Sequence, residues 1–96
     1  MAKQARVTYA ELVGILHQFQ YTPDPEQSAE DHTTFRHPSR RLRIILPALK
    51  DRSVVRPVHL VGVRLILNVS APEDARDFES WLEGRGIRGP SKVPAR

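Results

Sequence analysis

Residues 31–47 read Asp31-His32-Thr33-Thr34-Phe35-Arg36-His37-Pro38-Ser39-Arg40-Arg41-Leu42-Arg43-Ile44-Ile45-Leu46-Pro47. Two short runs, Asp31–Arg36 and Arg41–Leu46, flank His37-Pro38-Ser39-Arg40, and this predicts a β-hairpin. Pro38 suits the second position of a type I turn, and its fixed negative φ argues against the primed two-residue turns. A four-residue loop would pair Arg36 with Arg41, Thr34 with Arg43 and His32 with Ile45. Side chains alternate along strands, so Phe35, Leu42, Ile44 and Leu46 are expected on the core side. His32, Thr34, Arg36, Arg41 and Arg43 then share the outward side. Pro47 ends the second strand.

Working outward, Thr8-Tyr9-Ala10-Glu11 has the form of a capping box, with Val7 and Leu12 placed for a hydrophobic staple. Leu12, Ile15, Leu16 and Phe19 follow at helical spacing and predict one buried stripe. Tyr21 to Asp31 is polar and acidic, and Pro23 and Pro25 allow at best a short sheet-edge strand there. Val54–Val69 reads two ways. Val61, Val63, Leu65, Leu67 and Val69 alternate as in a strand, and composition leans that way. Pro57 at a first helical position, with Val58, Val61, Leu65 and Val69 near one stripe, suits a helix. Ser70-Ala71-Pro72-Glu73 predicts a second capping box, opening a helix that buries Ala75, Phe78 and Leu82 and ends at Gly84. The expected layout is one domain over residues 1–84 and a basic, disordered tail over 85–96.

Ninety-six residues with 40% hydrophobic side chains suffice for one modest core. The net charge of +4 is unevenly spread. Residues 32–69 carry eight basic side chains and one acidic, a balance of +7, whereas 1–31 carry two basic and five acidic, a balance of −3. A concentrated basic block attracts polyanions. The bland alternative is that these arginines simply solvate a sheet face. No cysteine is present, which excludes disulfides and thiolate metal sites. No apolar run approaches the roughly 20 residues of a membrane span. The first residues show no apolar signal core, so a cytoplasmic location is expected.

The helix near the N-terminus, then Asp31-His32-Thr33-Thr34-Phe35-Arg36-His37-Pro38, then an aliphatic strand closing on Pro47, resembles the HicA-type mRNA interferase toxins. The resemblance covers residues 9–47 well and 54–67 loosely. It implies an α+β fold similar to a double-stranded-RNA-binding domain: an N-terminal helix, a three-stranded antiparallel sheet with a weak first strand, and one or two C-terminal helices on the same face. It favours the helical reading of Pro57–Asn68. It also implies that His32 is catalytic and that a HicB-like antitoxin covers it. At two places the chain differs from that family. Glu30-Asp31 stands where a small Gly-Ser pair is usual, and the first strand is acidic and broken by proline. Acidic groups there repel an approaching phosphate, unless Asp31 orients the imidazole.

RNA cleavage without a metal or cofactor needs a base for the 2′-hydroxyl, an acid for the leaving oxygen, and positive charge for the phosphorane. Histidine, with an ordinary pKa near 6.5, suits the proton transfers. Arginine suits phosphate oxygens. The candidates are therefore His32 for catalysis and Arg36, Arg41, Arg43 and Thr34 for RNA contact, with Asp31 and His37 as auxiliaries. His37 is expected on the opposite side from His32, which disfavours a chelating pair. Asp31, Tyr21 and Ser39 could each supply the second proton transfer, and the residues do not choose among them. The expected function is a toxin-type mRNA endonuclease. The alternatives are a non-catalytic RNA-binding module on the same scaffold and an interaction protein assembled through its charged faces.

Overall fold

A computed structural model describes residues 6–87. Its elements run α1 (Tyr9–Gln18), β1 (Thr22–Pro23), a 3-10 turn (Pro25–Gln27), β2 (His32–Arg36), β3 (Ile44–Pro47), α2 (Pro57–Ser70) and α3 (Pro72–Gly84). The sheet is antiparallel throughout, in the order β1-β2-β3. This is the small α+β layout expected, with two C-terminal helices. No helix among the described residues is long and apolar enough to cross a membrane.

The predicted capping box of α1 is present. Glu11 N–H donates to Thr8 Oγ1 (3.3 Å), and Thr8 N–H donates to Glu11 Oε1 (2.9 Å). The backbone N–H of Thr8 holds the Glu11 carboxyl below its usual range, and the Arg85 guanidinium adds to the effect. Leu12, Ile15, Leu16 and Phe19 form the buried stripe, as read from their spacing. The segment before α2 is clipped to this helix start, with Val55 N–H donating to Val7 O (2.8 Å) and Tyr9 N–H to Ser53 O (2.8 Å). Gly14 lies on the exposed side of α1, and an added Cβ there meets no heavy atom within 4 Å. Gly14→Ala is therefore expected to raise unfolding stability by about 0.5–1 kcal/mol, through helix propensity alone, in a urea titration.

Pro23 and Pro25 limit β1 to two residues, Thr22 facing Arg36 and Pro23 facing Phe35. Beyond it the chain serves β2 differently. Asp24 N–H donates to Thr34 O (2.8 Å), while the Ser28 hydroxyl accepts from Thr34 N–H (2.9 Å). A side chain thus stands in for the ladder that two prolines cannot continue.

The hairpin register differs from the expected one. His32 faces Pro47, Thr34 faces Ile45 and Phe35 faces Ile44. Relative to the four-residue-loop reading, β3 is displaced by two residues, and residues 37–43 form the connection. Because the shift is even, it preserves the faces. Phe35, Ile44 and Leu46 are buried as expected, whereas Ile45 is 64% exposed. Leu42, Arg41 and Arg43 are not strand residues, and Leu42 is partly exposed rather than in the core. The longer loop follows from its anchors. His37 is buried edge-on against Tyr21 (centroids 5.2 Å apart), and Arg40 Nη1 donates to Ser70 O at the end of α2.

Val54–Val69 contains a helix rather than a strand, with Pro57 at its first turn. The stripe it buries is Leu60, Val63, Arg64 and Leu67, the opposite side from the one the sequence pattern suggested. Val58, Val61, Leu65 and Val69 are exposed. The second capping box is absent. Ser70 is the last residue of α2, its hydroxyl donates to Ile66 O (2.8 Å), and α3 starts without a side-chain cap. Ala75, Phe78 and Leu82 face the core as expected, and Arg64 pairs with Glu79 (2.7 Å) between the two helices. Arg85 to Ile87 belong to the domain and not to a tail. Arg85 donates to Glu11 Oε2 (2.9 Å) and lies 4.6 Å from the Trp81 ring centroid, and Ile87 packs against the core. The remainder of the expected tail, 88–96, lies outside the described residues.

Candidate functional site

His32 opens β2, and its backbone is held from two sides. Its carbonyl accepts from Ala29 N–H (2.9 Å), and the preceding Asp31 carbonyl accepts from Ala48 N–H (3.1 Å). Asp31 and His32 are therefore fixed between the end of the 3-10 segment and the chain leaving β3. Their side chains meet, with Asp31 Oδ1 2.9 Å from His32 Nδ1. Asp31 is almost fully exposed, and the His32 side chain is 37% exposed. The hydrogen bond from His32 holds the Asp31 carboxyl below the usual carboxylate range. With Nδ1–H donated to Asp31, Nε2 carries the lone pair and can act as a proton acceptor. This is the orienting contact that the sequence left open.

Arg36 ends the same strand and is more than half exposed, with its guanidinium 3.6 Å from the buried Asp24 carboxylate. It is four residues from His32, roughly 13 Å along the strand at 3.3 Å per residue. Arg40, Arg41 and Arg43 are exposed in the connection that follows. The histidine pair and the arginine group thus occupy opposite ends of β2.

Thr34 shares the outward side by alternation but is only 2% exposed. Its hydroxyl donates to Gln27 O (2.7 Å), so the 3-10 segment covers it and leaves no surface for a ligand. This corrects the expectation that Thr34 contacts RNA. Nothing in a linear pattern marks such coverage, because it depends on residues 24–28 folding back over the strand.

His37 is on the other side from His32, as expected. It is buried beside Tyr21, and its Nδ1 accepts from Ser39 N–H (2.9 Å). Tyr21 is fully buried, with its hydroxyl 3.1 Å from Ser70 Oγ, so neither Tyr21 nor Ser39 is brought to His32. Burial pushes the His37 pKa down, Arg40 adds to the effect and Asp74 opposes it. A histidine with a lowered folded pKa favours the native state while neutral. Its contribution is complete above the unfolded value near 6.5 and is lost as pH falls from there. Urea midpoints are therefore expected to drop between pH 7.5 and 5.5, and His37→Gln is expected to flatten that drop. An equal drop in the variant would assign the effect elsewhere.

Among the described residues, no three His, Asp or Glu side chains come together as a potential metal site. Compared with protein-family models, curated proteins and solved structures, the chain matches none of them.

Proposed function

We propose that this chain is an RNA-binding endonuclease that cleaves without a metal or cofactor, His32 acting as the proton-transfer residue. The observation that carries the reading is the Asp31–His32 pair, a partly exposed imidazole oriented by a carboxylate on a doubly anchored backbone. In this reading Asp31 is a positioning residue, which reconciles an acidic side chain with an anionic substrate. His32 Nε2 takes the proton of the 2′-hydroxyl, that oxygen attacks the phosphorus to form a 2′,3′-cyclic phosphate, and the bond to the 5′-oxygen breaks as that oxygen takes a proton from water. Arg36, Arg41 and Arg43 grip the RNA strand beyond the bond that is cut. The resemblance to HicA-type toxins extends the proposal to mRNA as substrate, to the cytoplasm, and to a HicB-like antitoxin seated over the hairpin.

A second reading has its own support. Among the described residues His32 has only Asp31 as a side-chain partner, and Arg36 is engaged with Asp24, an arrangement a non-catalytic RNA-binding module would also tolerate. Incubation of purified chain with RNA in EDTA separates the two. Cleavage by the native chain that disappears in His32→Ala, while binding persists, supports the enzyme. Binding without cleavage by either form, across salt and pH, leaves the binding module.

A further inference from the structure

Helix α2 has an unusual surface. Of the positions it turns to solvent, only Asn68 is polar and none carries a charge, because its one arginine, Arg64, is buried against Glu79. A helix apolar on all sides belongs between two layers, yet α2 has a layer on one side alone. Val58, Leu65 and Val69 are 61–73% exposed and Val61 is 38% exposed. Leu42, itself 38% exposed, lines one groove with Val69 and extends this apolar stripe, and exposed apolar stripes mark interaction surfaces.

The spacing along the exposed stripe specifies what fits. Val58, Gly62, Leu65 and Val69 are separated by four, three and four residues, the a/d spacing of a helix seam. In an antiparallel pair of identical helices this seam is self-complementary: Val58 of one copy meets Val69 of the other, and Leu65 meets Gly62. A Cβ placed at Gly62 meets no atom within 4 Å, so there is an open hole beside a protruding leucine. A twofold axis uses hole and knob twice. The end at Val69 adds a shallow groove of about 320 Å³, lined by Ser39, Arg40, Arg41, Leu42, Val69 and Ser70, where Val58 of the second copy would sit. A parallel pairing would instead oppose Gly62 to Gly62 and leave a gap.

We infer that the exposed face of α2 is a twofold interface between two copies of this chain, crossing antiparallel with Leu65 seated over Gly62. Two 14-residue helices of about 21 Å each form a seam near the lower limit of specific interfaces, so association is reversible and concentration-dependent. The same register brings Arg41 of one copy towards Arg56 of the other at the solvent rim. Added salt therefore strengthens the pairing, whereas it weakens RNA binding. The interface does not include His32 and does not depend on the proposed cleavage, although its rim shares Arg41 with the proposed RNA grip.

Sedimentation of the full chain from low micromolar to near-millimolar concentration tests this. A monomer–dimer equilibrium is expected, with Leu65→Lys raising the dissociation constant at least tenfold and helical circular dichroism unchanged. Gly62→Leu also weakens the dimer, although it adds apolar surface, because it fills the hole. The cysteine-free sequence permits a check of direction. Under mild oxidant, a mixture of Val58→Cys and Val69→Cys chains cross-links between the two variants, and neither cross-links with itself. A native chain that stays monomeric throughout, or a Gly62→Leu variant that associates more tightly, would overturn the proposal. Self-cross-linking of Val58→Cys would replace antiparallel pairing with parallel pairing and overturn it equally.

Discussion

Substituting His32 by alanine is expected to lower RNA cleavage in EDTA by about 10²–10⁴-fold, the usual contribution of a positioned general base. RNA affinity should stay within a few-fold, because the arginines at the far end of β2 hold the strand. Folding should be unaffected: the imidazole is partly exposed, its one side-chain partner among the described residues is the exposed Asp31, and its anchors are backbone groups that alanine keeps. Asp31→Asn separates orientation from charge. An amide oxygen still accepts from Nδ1–H, so most activity should remain, while Asp31→Ala frees the ring and should fall closer to His32→Ala. The carboxylate is lowered by its hydrogen bond from His32, so the pair persists as pH falls until Asp31 itself protonates, below its ordinary value near 3.8. The measurement is initial cleavage rate on one RNA, with affinity measured in parallel. Equal rates for native and His32→Ala would remove His32 from the mechanism.

The second large effect concerns stability. Phe35→Ala is expected to cost about 3–5 kcal/mol, as for other buried aromatic truncations. Phe35 is 1% exposed and lies across from Ile44, also buried, under the helical layer. Against a total stability of roughly 5–14 kcal/mol for a chain of this length, the loss leaves a marginal fold. Ile45→Ala is the internal control. It sits next to Ile44 on β3 but is 64% exposed, so it should change stability by less than about 0.5 kcal/mol. Urea unfolding followed by circular dichroism gives both numbers. Comparable losses at the two positions would mean that the faces of β3 are wrongly assigned.

Much of this architecture was legible locally. Thr8 and Glu11 mark the start of α1 because a capping box closes within four residues, without help from the rest of the chain. Pro23 and Pro25 announce a stunted first strand because a missing N–H is a property of the residue itself. Side-chain alternation located the core face of the hairpin, and an even register shift left it intact. The proximity of Asp31 and His32 is likewise local, since neighbouring residues need no fold to meet.

Other features were settled by contacts between segments far apart in the chain. The hairpin loop is longer than its turn residues suggest because His37 packs on Tyr21 and Arg40 reaches Ser70 at the end of α2. Ser70 reads as a cap from its neighbours, yet it ends the preceding helix, where its hydroxyl serves Ile66 and Tyr21. Thr34 reads as an outward strand residue, and only the return of residues 24–28 buries it. In α2 the apolar content is nearly uniform around the helix, so periodicity could not choose which side faces inward. That choice fell to the partners available: α2 packs against α3 and β3, and Leu60, Val63 and Leu67 join the buried cluster that also holds Phe78 and Leu82. The sequence by itself therefore determined the caps, the breaks and the alternation of faces, each enforced within a few residues. Tertiary structure decided the register, the coverage of β2 and the exposed side of α2, because each depends on surfaces that exist only once distant elements have met.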